Sequence, residues 1–173
     1  MSVVPGDPAS LSACALTARA VAYSLGGQAA GVRTAYDAIA DGWTGRASAA
    51  ARRRGGILAD AGATAAEELE RVGGILQDQA TDLADLVARA RSIEERATAA
   101  GLEVRDGRVE RGWGVTGPAD ADVDRSRDEV RAHLQADLDL VLAQHRRRRD
   151  WVLSVVREST TTLAGVSRRL RDG

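Results

Sequence analysis

The chain has 173 residues, and its formal net charge at pH 7 is −1 because 24 basic residues nearly balance 25 acidic ones. Hydrophobic residues make up 44% of the sequence but aromatic residues only 3%, and every basic residue is arginine. This hydrophobic fraction excludes general disorder, and the balanced charge gives the molecule as a whole no attraction to nucleic acid or anionic lipid. The length fits one domain over residues 1–173, and the scarcity of β-branched and aromatic residues favours helices over sheets.

Cysteine, histidine and glycine usage excludes the common kinds of catalytic and metal site. Cys14, the single cysteine, lies on an apolar stripe without a basic neighbour, so we expect a small core residue rather than a nucleophile. His133 and His145 lie on one predicted helix with a separation of about 18 Å, too far apart to share a metal ion. The glycines interrupt helices rather than follow strands, which excludes a phosphate-binding loop. We therefore predict no catalytic, cofactor-binding or metal site, and no enzyme.

The sequence also lacks the segments that direct a chain into or across a membrane by the usual routes. No stretch approaches eighteen apolar residues, so no transmembrane segment is expected. The first eight residues have neither a basic start nor an apolar run, so they do not form a Sec signal peptide. If the protein leaves the cell, it must therefore use a route other than Sec.

The first half of the chain predicts two long helices joined by a short turn. Asp7 followed by Pro8 suits an N-cap and the first helical position, and apolar residues then recur at helical spacing over 8–40. Two glycines within four residues predict a turn at 41–45. A second apolar stripe predicts a helix over 46–100.

The second half predicts a small β-hairpin followed by a third helix. Asp106-Gly107 lies between two short alternating segments, which predicts a two-residue turn and a hairpin over 102–112. Glycines and a proline then separate the hairpin from a helix over 119–171. The predicted fold is all-α: an elongated antiparallel helical hairpin or three-helix bundle, with the β-hairpin between the second and third helices and at the far tip.

Folding the first two helices back at the turn predicts which positions face each other. The facing pairs are Gly31 with Gly56, Gly26 with Ala61, and Cys14 with Gly73. Because a glycine inside a helix costs up to about 1 kcal/mol relative to alanine, we interpret these pairs as points of close backbone approach. Tolerated flexible positions are the alternative.

Two arginine runs, Arg52–Arg54 and Arg146–Arg149, raise the question of phosphate binding. Consecutive helical residues point about 100° apart, so each run encircles its helix instead of forming a stripe. Folding back the third helix places the second run level with Glu67, Glu68 and Glu70, which predicts ion pairs between the helices. Nucleic-acid or lipid binding is the alternative, and a nucleic-acid partner is not expected.

The turn between the first two helices contains the most informative residues. It reads Gly42-Trp43-Thr44-Gly45. The glycines suit a helix C-cap and a tight turn, and Thr44 suits an N-cap for the second helix. Trp43 suits either closure of the helical hairpin or insertion into a groove on a partner protein.

A Trp-x-Gly turn between two long alanine-rich helices, after an Asp-Pro helix start, resembles the WXG (ESX-like) family of type VII secretion proteins. Trp43 and Gly45 carry the resemblance, which covers residues 7 to about 100. The remainder resembles the longer N-terminal helical modules of type VII secreted proteins in high-GC bacteria. The resemblance implies export without a Sec signal, often as an antiparallel four-helix dimer, with a second copy or a WXG-family heteropartner and the secretion machinery as partners.

Two export patterns of the family are incomplete in this chain. Neither Tyr23 nor Tyr36 precedes an acidic residue by four positions, as a Tyr-x-x-x-Asp/Glu signal requires, which favours export together with a signal-bearing partner. The pattern His-x-x-x-Asp-x-x-apolar-x-x-x-His is matched by His133, Asp137 and Leu140, but its last position is Gln144, one residue before the second histidine. A solvated helix face also explains these residues.

These observations predict a non-enzymatic type VII secretion-associated protein that is exported, or helps a partner's export, through helix–helix association. One alternative is a cytoplasmic coiled-coil adaptor or scaffold in which the Trp-x-Gly turn is only structural. The other is an arginine-mediated nucleic-acid binder.

Overall fold

The computed structural model describes residues 3–39, 42–112 and 121–172, with the side chains of 121–123 and 172 excepted. Its elements in chain order are α1 (Pro8–Ala38), α2 (Arg46–Ala99), β1 (Leu102–Arg105), β2 (Arg108–Arg111) and α3 (Ala121–Asp172). The predicted all-α class is confirmed, as is a β-hairpin between the second and third helices. Each helix end lies within two residues of its predicted position. Asp41 and the predicted break at Gly114, Gly117 and Pro118 lie outside the described residues.

The chain divides into two compact units, which are described separately. Unit 1 comprises residues 1–8 and 79–151, and unit 2 comprises residues 9–78 and 152–173. The single domain over 1–173 stays a prediction.

In unit 2, α1 packs against the first half of α2 through small side chains. Ala15, Ala22 and Ala29, spaced seven residues apart, are the buried residues of α1. A Cβ atom added to Gly62 would lie 3.0 Å from the Cβ of Ala29, so the two backbones are close at this point. Close backbone approach therefore occurs at Gly62, a glycine that was not among the predicted facing pairs.

The predicted register between α1 and α2 is wrong by about one helical turn. Gly26 lies beside Ala66 instead of Ala61, and no atom lies near the position that a Cβ would take on Gly31 or Gly56. Cys14 is exposed rather than in the core. The seven residues 39–45 between the helices permit this offset, and contacts between small side chains decide it.

Gly73 lies close to the Ala15 carbonyl, one residue from its predicted partner Cys14, and to the Arg19 side chain. An ion pair of 2.9 Å between Arg19 and Glu70 and a hydrogen bond of 3.0 Å from the Ser12 hydroxyl to Gln77 lie along this contact. At this end of α1 the contacts differ from the predicted register by one or two residues, so the offset of about one turn belongs to the part of α1 nearer the turn.

In unit 1, the second half of α2 and the first half of α3 run antiparallel around a core of larger aliphatic side chains. Arg96 pairs with Asp137 at 2.8 Å, and Arg148 pairs with Asp82 at 2.7 Å, so residue numbers rise on one helix as they fall on the other. The core residues that the two helices contribute include Leu83, Leu86, Ile93, Leu134, Leu138 and Val141.

The β-hairpin lies against α3 instead of forming a free tip. Its Asp106-Gly107 turn has positive φ at both residues, as a type I′ turn requires. The side chain of Gln135 accepts a hydrogen bond from the Val109 amide at 2.7 Å and donates one to the Gly107 carbonyl at 3.2 Å. Leu102 and Val109 are buried, which a two-stranded hairpin does not achieve by itself. The side chain of Leu142 on α3 also lies next to Gly107.

Candidate functional site

Trp43 is 46% exposed, and its backbone is hydrogen-bonded on both sides. Its amide donates a hydrogen bond to the Ile39 carbonyl at 3.1 Å, and its carbonyl accepts one from the hydroxyl of fully buried Ser48. The turn is therefore ordered by backbone contacts that do not use the ring. The ring remains available to a partner.

Gly45, rather than Thr44, occupies the N-cap position of α2. The Gly45 carbonyl accepts the amide of Ala49 at 3.0 Å, which is the first hydrogen bond of the helix. Its φ of +103° lies in a region that side-chain-bearing residues rarely adopt. A cap by Thr44 is wrong because the chain needs this glycine conformation immediately before the helix.

We expect Gly45→Ala to lower the free energy of unfolding by about 1–3 kcal/mol through backbone strain. Gly42→Ala is the matched control, because Gly42 lies in the same turn and no atom lies near the position that a Cβ would take. Urea denaturation followed by circular dichroism measures both. Equal effects of the two substitutions would contradict the role given to φ at residue 45.

The outer face of α1 is exposed and carries no charge. Leu16 is 63% exposed and Tyr23 is 87% exposed. Between residues 13 and 31, Arg19 is the single charged residue on α1, and it pairs with Glu70 of α2. A solvent-facing helix normally places charges on the side away from its core. The outer face of α1 therefore differs from an ordinary solvated surface.

Exposed residues on this face follow a heptad spacing that sequence reasoning missed. They recur at intervals of three and four residues: Ala13, Leu16, Ala20, Tyr23, Gly27 and Ala30. Alternating intervals of three and four are the spacing of a coiled-coil seam. The stripe was hidden because most of its members are small, and because a second stripe on the same helix supplies the core.

The partial export pattern occupies one face of α3 in unit 1. His133 is exposed, Asp137 lies 3.8 Å from it and pairs with Arg96 of α2, and Leu140 is 56% exposed. Leu140, Asp137 and Gln144 line a groove together with Arg96 and other α2 residues. The pattern's first three members are thus brought together on a surface.

His145 does not join that surface, because it is buried and anchors the start of the chain. Its imidazole makes a hydrogen bond with the backbone of Pro5, whose carbonyl is the acceptor. Burial lowers the pKa of His145, and the positive charges of Arg149 and Arg146 lower it further, while the bond to Pro5 acts in the opposite direction. This histidine is therefore a packing residue of unit 1.

Acidification should destabilise the protein through His145. Because its pKa is lower in the folded state than the ordinary 6.5, the unfolded chain binds the proton more readily. Neutral His145 makes its full contribution to the free energy of unfolding above about pH 6.5. This contribution is lost as the pH falls through the lowered pKa of His145 in the folded state. Urea denaturation between pH 5 and 8 should therefore show a steeper loss of stability for the native chain than for His145→Gln. Parallel curves would contradict this assignment.

The predicted ion pairs between the second arginine run and Glu67, Glu68 and Glu70 are wrong. Arg148 pairs with Asp82, and Arg149 pairs with its neighbour Asp150 at 2.9 Å. Glu68 pairs with Arg71 one turn along α2, and this hydrogen bond lowers the pKa of Glu68. Arg148 is level with Asp82 instead of Glu68 or Glu70, so in unit 1 α3 lies more than ten residues farther along α2 than folding the chain back predicts.

The described residues provide neither a metal-binding cluster nor a membrane-spanning helix. No group of three or more histidine, cysteine, aspartate or glutamate side chains there is arranged to hold a metal ion. None of the described helices has a stretch apolar and long enough to span a membrane.

Comparison with protein-family models, with curated proteins and with solved structures gives no match.

Proposed function

We propose that this chain is a non-enzymatic type VII secretion-associated protein that acts through helix–helix association. Two features support the proposal. The Trp43-x-Gly45 turn joins two long helices and leaves the indole ring exposed. The outer face of α1 adds an uncharged heptad stripe with no cover among the described residues.

The observation that carries the proposal is that the stripe on α1 is complementary to itself. The two seam positions of a heptad are called a and d. In each layer of an antiparallel coiled coil, an a residue of one helix packs against a d residue of the other. Two α1 helices can cross between residues 21 and 22. Each layer then contains either one large and one small side chain, or two small side chains. The layers are Leu16 with Gly27, Tyr23 with Ala20, and Ala13 with Ala30.

A second copy of this chain is therefore the partner we assign to the outer face of α1. Small residues opposite large ones allow close approach, and the absence of charge avoids repulsion and desolvation costs. The paired segment, residues 13–30, is about 27 Å long on a helix about 10 Å wide. Because a patch of these dimensions is smaller than the standard size of stable interfaces, we expect weak, reversible association with a dissociation constant no tighter than the micromolar range.

Cysteine cross-linking tests both the partner and the direction of the pair. In a Cys14→Ala background, the double variant L16C/G27C should form an interchain disulfide on mild oxidation, since the two positions face each other. The single variant L16C should not, because its two copies would lie about 16 Å apart. Efficient cross-linking of L16C alone, or a protein that stays monomeric at high micromolar concentration, would contradict the antiparallel pair.

Export is tested in the native host by measuring the protein in culture supernatant with and without the secretion ATPase. Loss from the supernatant without the ATPase supports the proposal, and an unchanged amount contradicts it. Dimerisation without export would support the cytoplasmic adaptor instead. Salt-sensitive DNA binding that disappears on neutralising Arg146–Arg149 would support the nucleic-acid binder.

A further inference from the structure

The two helical segments at one end of unit 2 carry arginine without acidic residues. Residues 42–59, which include the turn and the start of α2, contain four arginines and no aspartate or glutamate. Residues 159–171 near the end of α3 contain three arginines and again no acid. This local concentration contrasts with the formal net charge of −1 for the whole chain.

The antiparallel packing in unit 2 brings the two segments to the same level. Glu68 of α2 makes a side-chain hydrogen bond with Ser159 of α3. Eleven residues farther along α3 lies Leu170, and the same distance back along α2 lies Ile57. Because both helices rise about 1.5 Å per residue, these two exposed side chains are level with each other.

At the start of α2, arginine and apolar residues share the outward face. Arg46, Ala50, Arg53 and Ile57 are exposed and follow intervals of four, three and four residues, which places them on one side of the helix. Ser48, Gly55 and Ala59 are buried on the opposite side. We call the surface the basic end; it consists of Trp43, Arg46, Arg53, Ile57, Leu58, Arg168, Arg169 and Leu170.

The arginines of the basic end are not neutralised by ion pairs. Within the described side chains, Arg46, Arg53, Arg168 and Arg169 have no acidic partner within 4.0 Å. In the nearby part of α1, Arg33 is itself paired with Asp60 of α2. The basic end therefore presents free guanidinium groups beside exposed apolar side chains.

We infer that the basic end binds the surface of an anionic lipid bilayer. Guanidinium groups pair with lipid phosphates, and the exposed tryptophan, isoleucine and leucines enter the boundary between headgroups and acyl chains. The apolar side chains favour a bilayer over nucleic acid, whose phosphate backbone offers them no apolar contact. This inference does not depend on export or on pairing of α1.

Vesicle flotation with the full chain tests the inference. Vesicles of phosphatidylglycerol and phosphatidylcholine should bind the protein at low ionic strength, and vesicles of phosphatidylcholine alone should not. R46Q/R53Q should weaken binding roughly 10- to 30-fold, because both residues lie on the outward face of α2 and each basic residue near an anionic surface contributes several-fold. The matched control R146Q/R147Q removes the same charge from exposed positions in unit 1 and should change binding less than twofold.

A second pair of measurements separates lipid from other polyanions. I57Q/L170Q keeps every charge, and should weaken binding to anionic vesicles several-fold while leaving retention on heparin unchanged. Absence of vesicle binding overturns the inference. It is also overturned if the two arginine pairs contribute equally, or if double-stranded DNA binds more tightly than anionic vesicles at the same salt concentration.

Discussion

Replacing Leu138 by alanine lowers the free energy of unfolding by about 2–5 kcal/mol, the cost of a cavity in a close-packed core. Among the described residues, Leu138 is the largest side chain that is fully buried. It lies on α3 in unit 1, where aliphatic side chains of α2 and α3 form the core. Urea denaturation followed by circular dichroism measures the loss.

Leu140→Ala is the matched control, since it makes the same change two residues along the same helix at a side chain that is 56% exposed. We expect its effect on stability to be within about 0.5 kcal/mol, as is usual for surface substitutions. Leu140 also belongs to the partial export pattern, so this variant separates export from folding. A comparable loss from both substitutions would contradict the packing described for unit 1.

The adjacent glycines Gly55 and Gly56 respond to alanine in opposite directions. A Cβ on Gly55 would overlap the ring of Tyr36, so Gly55→Ala should destabilise the protein by about 1–3 kcal/mol through overpacking. Gly56 has no atom near the position of a Cβ, and Gly56→Ala should stabilise the protein by up to about 1 kcal/mol, because alanine is the better helix former. Thermal unfolding of the two variants gives the sign of each effect.

The comparison of Gly55→Ala with Gly56→Ala also tests the register of α1 against α2. Folding the chain at its turn predicts close approach at Gly56 rather than at Gly55. If Gly56→Ala were the destabilising variant, the helices would be packed as the sequence predicted, and the offset of one turn would be wrong.

Local patterns in the sequence were sufficient to predict the helices and the β-hairpin. Asp7 and Pro8 mark the start of α1, the Asp106-Gly107 pair marks the hairpin, and apolar spacing marks the long helices. These signals act over a few residues, because helix capping, turn conformation and side-chain periodicity are properties of neighbouring positions. They do not specify which turn of one helix faces which turn of another.

The candidate surfaces depend on contacts that local patterns do not contain. The role of Trp43 in the turn was visible from its neighbours, whereas the outer face of α1 became evident once Ala15, Ala22 and Ala29 were known to face α2. Likewise, Cys14 was expected in the core because its stripe is as apolar as the stripe that packs against α2. On a helix made largely of alanine, several stripes satisfy the same period, and packing against α2 selects among them.

Composition and periodicity thus determined that this protein is a set of long helices with one β-hairpin. Tertiary packing decided their register, the placement of the hairpin on α3, and which arginines are paired or exposed. The physical reason is that helix formation follows local backbone preferences, whereas register follows the fit of small and large side chains from distant parts of the chain. That fit leaves an uncharged seam on α1 and a basic end on unit 2, the two surfaces to which we assign partners.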